Sequence, residues 1–168
     1  YGSPIKIVFG TTMIAGVLID YDDFTAIAHT ETTHSGGKGG GVSSSNTTYT
    51  YTVALAIAIA EGTLTGIGKV WDGSKTTDLG ALGLTFFNGA IAQSPWGYML
   101  AKHPNKALTY SGTGYVAGVL DLGDSSRLPN FNFEVYGLCQ SQTGTATTSK
   151  VLMFAYQDTI EISNFSSN

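Results

Sequence analysis

Two histidines and a glutamate in the segment HTETTH, residues 29–34, are the side chains best suited to chemistry in this sequence. A zinc-protease helix requires two histidines four residues apart, with the glutamate next to the first, on one helical face. Here Glu31 lies between His29 and His34, which are five residues apart, and the surrounding threonines favour a strand. Residues five apart on a strand point to opposite faces. A metal site would therefore need a distant ligand such as His103, and we predict no metal-ligating set.

The glycine-rich segment that follows, residues 36–41, places Lys38 among five glycines. A phosphate-binding loop has the pattern GxxxxGK[ST] between a strand and a helix, so that backbone N–H groups converge on the phosphate. In this chain Gly39 follows the lysine, and serines and a strand follow in place of a helix. The composition is typical of a flexible loop. We predict that residues 34–48 form the flexible tip of a long hairpin, with Lys38 available to an anionic partner.

No other residues in the sequence form a recognisable catalytic arrangement. No serine lies in a GxSxG elbow, and Cys139 has no evident base beside it. Asp22 and Asp23 fall in a predicted turn, where aspartate is common for backbone reasons. The chain is therefore predicted to have no catalytic residue, no cofactor and no enzymatic activity.

Two other functions remain open at this point. A metal-dependent hydrolase would have to assemble its site from the HTETTH side chains together with His103. A carbohydrate-binding β-sandwich module would use Trp71 and Trp96, with the nine tyrosines, as its sugar platform. Core packing is the ordinary role of such tryptophans, because large aromatic side chains contribute most when they are buried.

Charged residues are scarce in this chain. They make up 12% of the sequence, about half the usual quarter. Soluble monomers rely on surface charge to stay apart, so the deficit predicts a surface that is largely covered by partner proteins. The net charge is −4 and the single arginine is Arg127, which leaves no basic face. Sequence-specific nucleic-acid binding is therefore not expected.

The length of 168 residues suits one domain with its own core, which we assign to residues 1–168. The longest apolar run, Val53–Ala60, is too short to cross a bilayer. A single cysteine, Cys139, excludes an internal disulfide. The chain begins at Tyr1 and enters a strand within a few residues, which indicates a fragment of a longer protein.

The clearest pattern in the sequence is an alternation of large and small residues over twelve positions, residues 49–60. The odd positions are Tyr49, Tyr51, Val53, Leu55, Ile57 and Ile59, and the even positions are Thr50, Thr52, Ala54, Ala56, Ala58 and Ala60. Such a period predicts a strand of about 40 Å. Four successive alanines on the second face predict that another element approaches it closely, so both faces of this half are covered.

The first half of that strand is expected to project from the domain. Its predicted antiparallel partner is residues 24–33, and the two together would form an arm. The residues assigned to the arm and its interface are Lys38, Tyr49, Tyr51, Ala54, Ala56, Ala58 and Ala60.

The rest of the chain is predicted to be mainly antiparallel β structure with one short helix. The expected strands are Ile5–Phe9, Met13–Ile19, Ile67–Trp71, Leu82–Phe87, Tyr115–Leu122, Asn130–Tyr136 and, after a polar linker at 141–149, Val151–Ile162. The acidic residues 20–23 are expected to interrupt the second of these. In the strand Asn130–Tyr136, Phe131, Phe133 and Val135 are expected to share one face. The helix is predicted to begin at Ser94 as N-cap with Pro95 in its first turn, and to stop at His103.

Four segments, in this order, resemble one known protein family. They are GSPIKIVFGTTMIAGVLI (Gly2–Ile19), DFTAIAHTETTHSGGKGGG (Asp23–Gly41), YTYTVALAIAIAEGTLTGIGKVWDGSK (Tyr49–Lys75) and LPNFNFEV (Leu128–Val135). The family is that of the tail tip attachment and baseplate hub proteins of long-tailed bacteriophages. It includes the host-specificity protein of lambda-like phages and the large tail protein of gene transfer agents.

The family pattern is a G-x-P-I-x-x-x-Y-G opening, a glycine-lysine loop, a Tyr/Thr strand leading into E-G-P-I-x-x-I-x-x-[VI]-W, and P-x-x-x-F-E-V. This chain departs from it at four positions, Phe9, Thr12, Thr63 and Lys69, where the family tends to have tyrosine, arginine, proline and arginine. Residues 139–168 carry no resemblance. Family members are much longer, in agreement with a fragment.

The resemblance implies a structural role in the virion. A protein similar to this family would be a tube-like β domain that assembles as a homotrimer, caps the tail tube, holds the exit channel for DNA, and contributes to host attachment. Its partners would be the distal tail, tube and tape-measure proteins. It would be made in the bacterial host cytoplasm and located at the tail tip of the virion.

Overall fold

The computed structural model describes residues 4–35 and 42–137 of the chain. Within them the chain forms strands and one short helix in the following order: β1 (Lys6–Ile7), β2 (Thr11–Ala15), β3 (Val17–Ser35), β4 (Val42–Glu61), β5 (Gly66–Asp72), β6 (Lys75–Thr77), β7 (Leu84–Asn88), α1 (Gly97–Lys102), β8 (Thr113–Gly123) and β9 (Phe131–Tyr136). The mainly β fold with one short helix is confirmed. Lys38, Cys139, the predicted linker at 141–149 and the predicted last strand lie outside the described residues.

The strands form two sheets. The five-stranded sheet has the order β1-β4-β8-β7, with β3 also paired along β4, and the four-stranded sheet has the order β2-β9-β5-β6. β1 pairs with β4 in parallel, and the other pairs of named strands are antiparallel. In the described residues, no helix is both long and apolar enough to span a lipid bilayer.

One apolar core joins the two sheets, and the large residues of β4 supply its centre. Val53, Leu55 and Ile57 are 2%, 1% and 9% exposed. They belong to one buried cluster with residues from β8 and from the four-stranded sheet, namely Val116, Leu120, Val70, Phe131, Phe133 and Val135. The shared face predicted for the phenylalanines and valine of β9 is confirmed, and it points into this core. The two sheets therefore pack face to face as a sandwich.

The alanines of β4 lie on its other face and are also buried. Ala54, Ala56, Ala58 and Ala60 are at most 4% exposed. Ala56 forms a second cluster with Tyr115 and Ala117, onto which Trp96 and Tyr110 pack. The expected two-sided burial is confirmed. At Ala54 and Ala56 the covering element is this chain's own segment around α1, whereas Ala60 packs with the core between the sheets. These alanines are therefore core residues that offer no surface to a neighbouring subunit.

The start of the chain differs from the strands predicted there. The predicted strand Met13–Ile19 is divided at Gly16, where the chain leaves the four-stranded sheet and enters the five-stranded one. A Cβ atom at Gly16 would overlap the side chain of Ile57, so the crossing needs a glycine. The acidic residues 20–23 were expected to interrupt the strand, but β3 continues through them by means of two bulges, between Leu18 and Asp20 and between Asp22 and Thr25.

The helix begins two residues later than predicted. Its N-cap is Trp96, which makes no side-chain capping hydrogen bond, and its C-cap is His103 as expected. Trp96 has extended backbone (φ −58°, ψ 125°). This conformation brings its ring onto the second cluster, where it stacks on Tyr98 at 4.8 Å. Packing of the tryptophan thus overrides the capping signal of Ser94.

The close cover over the alanine face can be tested by enlarging one residue. Ala56→Leu is expected to lower the free energy of unfolding by about 1–3 kcal/mol, because a filled core must shift to accept extra methylenes. Ala28→Leu, on the exposed part of β3, is the matched control and is expected to change it by about 0.5 kcal/mol or less. Urea denaturation measures both, and equal effects would contradict a covered alanine face.

Candidate functional site

The projecting hairpin is the most unusual feature of the molecule. The pairing of β4 with β8 ends at Tyr51 and Gly123, whereas its pairing with β3 continues to Ser35 and Val42. We call residues 24–35 and 42–51 the arm. At about 3.3 Å per residue the arm is roughly 35 Å long. The predicted pairing of residues 24–33 with the first half of β4 is confirmed. It continues through residues 34–35 and 42–48, which were expected to belong to the flexible tip.

The two faces of the arm differ in chemistry. The first, which we call the aromatic face, continues the inner face of β4. The residues on it nearest the body are Phe24, Ala26, Ala28, Tyr49 and Tyr51. The rings of Phe24 and Tyr51 stack with centroids 5.6 Å apart. Phe24 and Tyr49 are 51% and 49% exposed, although they are in line with the core. An apolar surface thus extends beyond the point where the second sheet ends.

The opposite face, the polar face, contains Ile27, His29 and Glu31 on β3. His29 Nε2 lies 2.8 Å from Thr50 Oγ1. His34 pairs with Ser43 and belongs to the other face, since residues five apart on a strand alternate sides. The opposed histidines predicted from the spacing are confirmed.

Glu31 is the single Asp, Glu, Lys or Arg among the described residues of the arm. The remaining side chains are mostly threonine, serine and alanine, and those of residues 24–34 and 43–49 are exposed. Natural β proteins protect exposed edges with charge, proline or a covering element, because an unpaired edge can pair with another chain. The described arm has neither proline nor a row of charges. It is the kind of surface that another chain covers.

At its root the arm is joined to the α1 segment by five polar side chains, which we call the root cluster. Tyr98 Oη donates a hydrogen bond of 2.6 Å to Asp23 Oδ2, and His103 Nε2 lies 2.8 Å from the same oxygen. Lys106 Nζ donates to Asp22 Oδ2 at 2.6 Å. A carboxylate only accepts, so the hydrogen on His103 must be on Nε2. Tyr98 is held by α1, and the other two donors directly follow that helix.

The hydrogen bonds of the root cluster favour the ionised carboxylates of Asp22 and Asp23. The hydrogen bond from Lys106 lowers the pKa of Asp22 below its ordinary 3.8, and the bonds from Tyr98 and His103 do the same to the pKa of Asp23. The same bonds raise the pKa of Lys106 and that of Tyr98. Lys106 and Tyr98 therefore keep their protons, and both carboxylates stay ionised at neutral pH.

Asp22, Asp23 and His103 offer three potential metal ligands within 4.8 Å of one another. The two acidic oxygens already accept hydrogen bonds from Lys106 and Tyr98, so an ordinary polar cluster accounts for them. The ligand set of the hydrolase alternative is not assembled in the described residues, because His103 is at the arm root while His29 bonds to Thr50 further along the arm.

The tryptophans of the sugar-binding alternative do not form a shared platform. Trp96 packs over the second cluster of the five-stranded sheet, and Trp71 is in β5 of the four-stranded sheet. Tyr115, beneath the Trp96 segment, is 1% exposed, and within residues 4–35 and 42–137 no group meets its buried hydroxyl in full hydrogen-bond geometry. Burial raises its pKa to about 12. The adjoining cavity of 10 Å³ has room for about one water molecule.

The arm could be found from sequence, whereas the root cluster could not. The alternation of β4 and the threonines of β3 both indicate strands. The root cluster joins residues more than seventy positions apart, and neither its aspartates nor its donors have a diagnostic spacing. The aspartates were assigned to a turn because the bulge that presents them has no clear sequence signal.

Comparison with known proteins gives one likeness of fold. No protein-family model matches this chain, and no curated protein sequence matches it. Among solved structures, the chain is similar to one in the virion of a native gene transfer agent particle, with a TM-score of 0.58 over 82% of this chain. The two are 22% identical, and the match spans 27% of the length of that chain. The shared feature is the fold.

The pKa shifts of the root cluster predict how its bonds respond to pH. Because the pKa values of Asp22 and Asp23 are depressed, the contribution of the cluster to folding is fully present above about pH 3.8. It is lost as the pH falls through the lowered values. Carboxyl-carbon NMR is expected to give both aspartates midpoints below 3.8.

Two variants serve as mutual controls for that titration. Tyr98→Phe should raise the midpoint of Asp23 towards 3.8 and leave that of Asp22 little changed. Lys106→Met should raise the midpoint of Asp22 and leave that of Asp23 little changed. Midpoints that stay unchanged in both variants would show that these donors do not bond to the aspartates in solution.

Proposed function

We propose that this chain is a structural domain of a phage-type virion, located at the tail tip or baseplate hub. In this role it helps to cap the tail tube, assembles as a homotrimer in the parent protein, and contributes to the DNA exit channel and to host attachment. Its partners are then the distal tail, tube and tape-measure proteins. Its function is assembly, with no catalytic step.

The arm, with Glu31 as the single charged residue among its described residues, is the observation that carries this proposal. A β ribbon of about 35 Å that exposes its edges and an aromatic face is an aggregation hazard in a free monomer. The same ribbon is useful in an assembly, where a neighbouring chain covers it. The aromatic face, through Phe24, Tyr49 and Tyr51, provides anchors of the type that dominate protein interfaces.

The body of the domain supports the same role. Large apolar side chains are exposed on several elements, as at Ile7 (60%), Met13 (59%), Ile91 (81%) and Leu108 (59%). Charged residues make up only 12% of the chain. A surface with scattered apolar residues and little charge is expected where several neighbours make contact.

The sequence resemblance and the fold likeness point in the same direction. The four motifs resemble tail tip and hub proteins, which include the large tail protein of gene transfer agents. The similar solved chain is described as part of a gene transfer agent virion. Because the match spans 27% of that chain, the proposed role concerns one domain of a larger protein.

Purified particles provide the direct test of location. Peptides of this chain are expected in the mass spectrum of virions, and an antibody against the arm or body should label the tail end that is distal to the capsid. Peptides of a capsid protein serve as the positive control for recovery. Absence from particles, or labelling of the capsid, would contradict the proposal.

The role of the aromatic face can be tested by adding one charge. Ala28→Glu places a carboxylate beside Tyr49 on this face, where burial against a neighbour would leave it unpaired. We expect incorporation into particles to fall by about tenfold or more, which corresponds to about 1.4 kcal/mol of lost binding.

Thr48→Glu is the matched control for that experiment. It adds the same charge to the other face of the arm, in the position paired with His29. Incorporation of this variant is expected to stay close to that of the unmodified chain, and thermal melting would establish that both variants fold. Equal incorporation of the two variants would show that the aromatic face is not the assembly contact.

A further inference from the structure

The pairing of β4 with both of its neighbours, β3 and β8, is irregular at the same position along β4, next to Thr52. On one side, β3 carries an extra residue between Asp22 and Thr25, opposite Ala54 and Thr52. On the other side, the pairing with β8 shifts between Thr52 and Tyr51 and then ends. A bulge leaves a residue unpaired and bends the strand that carries it. The arm therefore leaves the body at a level where the ladder is weakened on both sides.

The backbone at this level is also unusual. Asp23 has a φ of 49°, in the left-handed region. Aspartate is among the few residues other than glycine that enter this region with some frequency, and the conformation is held only where the surroundings support it. The support here comes from side chains, because Asp23 Oδ2 contacts Tyr98 Oη and His103 Nε2.

The root cluster spans this weakened level. Asp23 lies within the bulge, and Asp22 is the last residue paired before it, opposite Ala54. Tyr98, His103 and Lys106 belong to the α1 helix and the segment that follows it on the body. Two contacts of 2.6 and 2.8 Å hold Asp23, the bulge residue next to the arm, and a third of 2.6 Å holds Asp22 just before it. The cluster lies at the surface, so none of these contacts is locked in the core.

We infer that the level of Thr52 is a hinge of the arm and that the root cluster is the latch that sets the direction of the arm. With the latch closed, the arm continues the line of β4. With the latch open, the arm swings about the bulge while the body keeps its fold, because the core residues of β4 begin at Val53. Exposed hydrogen bonds and an ion pair within this chain thus set the direction of the arm, whichever protein the arm binds.

Distance measurements between two spin labels test this inference. One label is placed on the arm at Ser45→Cys and one on the body at Lys75→Cys, in a Cys139→Ser background. Double electron–electron resonance on the otherwise unmodified chain should give one narrow distance distribution. The variant Asp23→Asn with Lys106→Met removes one acceptor charge and one donor charge of the latch. We expect it to lose the narrow peak and give a broad distribution.

The matched control is Asp124→Asn with Lys69→Met, which changes the same residue types and leaves the net charge equal. It should keep the narrow peak. A narrow, unshifted distribution in the latch variant would overturn the inference, as would equal broadening in the control. Tyr98→Phe removes one hydroxyl without altering any charge and should broaden the distribution to an intermediate degree.

A purely structural role of the cluster makes a different prediction. If the cluster only stabilised the body, the latch variant would lower the melting temperature and the narrow peak would persist in the folded fraction. The hinge instead predicts a broad distribution at temperatures where near-UV circular dichroism still reports a folded body. A broad distribution that appears only together with loss of that signal would overturn the inference.

Discussion

Two-sided burial of β4 is the constraint on which the rest of the structure depends. Its large residues fill the space between the sheets, and Ala54 and Ala56 leave room for the α1 segment on the opposite face. A strand can meet both demands only by alternating large and small side chains. The same strand continues into the arm, where the described part of the chain provides no second sheet to cover it. The central element of the core and the exposed ribbon are therefore one continuous piece of backbone.

This continuity explains why the arm has an apolar side. The aromatic face is the inner face of β4 extended past the edge of the sandwich, so Tyr49 and Tyr51 are in line with Val53 and Leu55. The opposite face changes from alanine to threonine at Thr52, where the cover by the α1 segment ends. Side-chain size and polarity along β4 thus mark the boundary between body and arm, and the root cluster lies at that boundary.

Much of this could be predicted from sequence, because alternation is a local signal. The arm, the buried half of β4 and the inward face of β9 all follow from periodicity over a few residues. The features that were missed depend on contacts distant in sequence. Trp96 displaces the helix start because its ring packs on the Tyr115 cluster, and Gly16 divides a predicted strand because Ile57 and Phe133 leave no room for a Cβ atom. The root cluster forms only once β3 bulges at Asp23.

Hydrogen exchange along β4, compared between the isolated chain and assembled particles, tests the central claim most directly. Amides of residues 53–60 are expected to be strongly protected in both states, because they belong to the core. Amides of residues 43–51 are expected to exchange readily in the isolated chain and to become protected in the particle. An arm that exchanges equally fast in both states, or a β4 core that is unprotected in the isolated chain, would contradict the account.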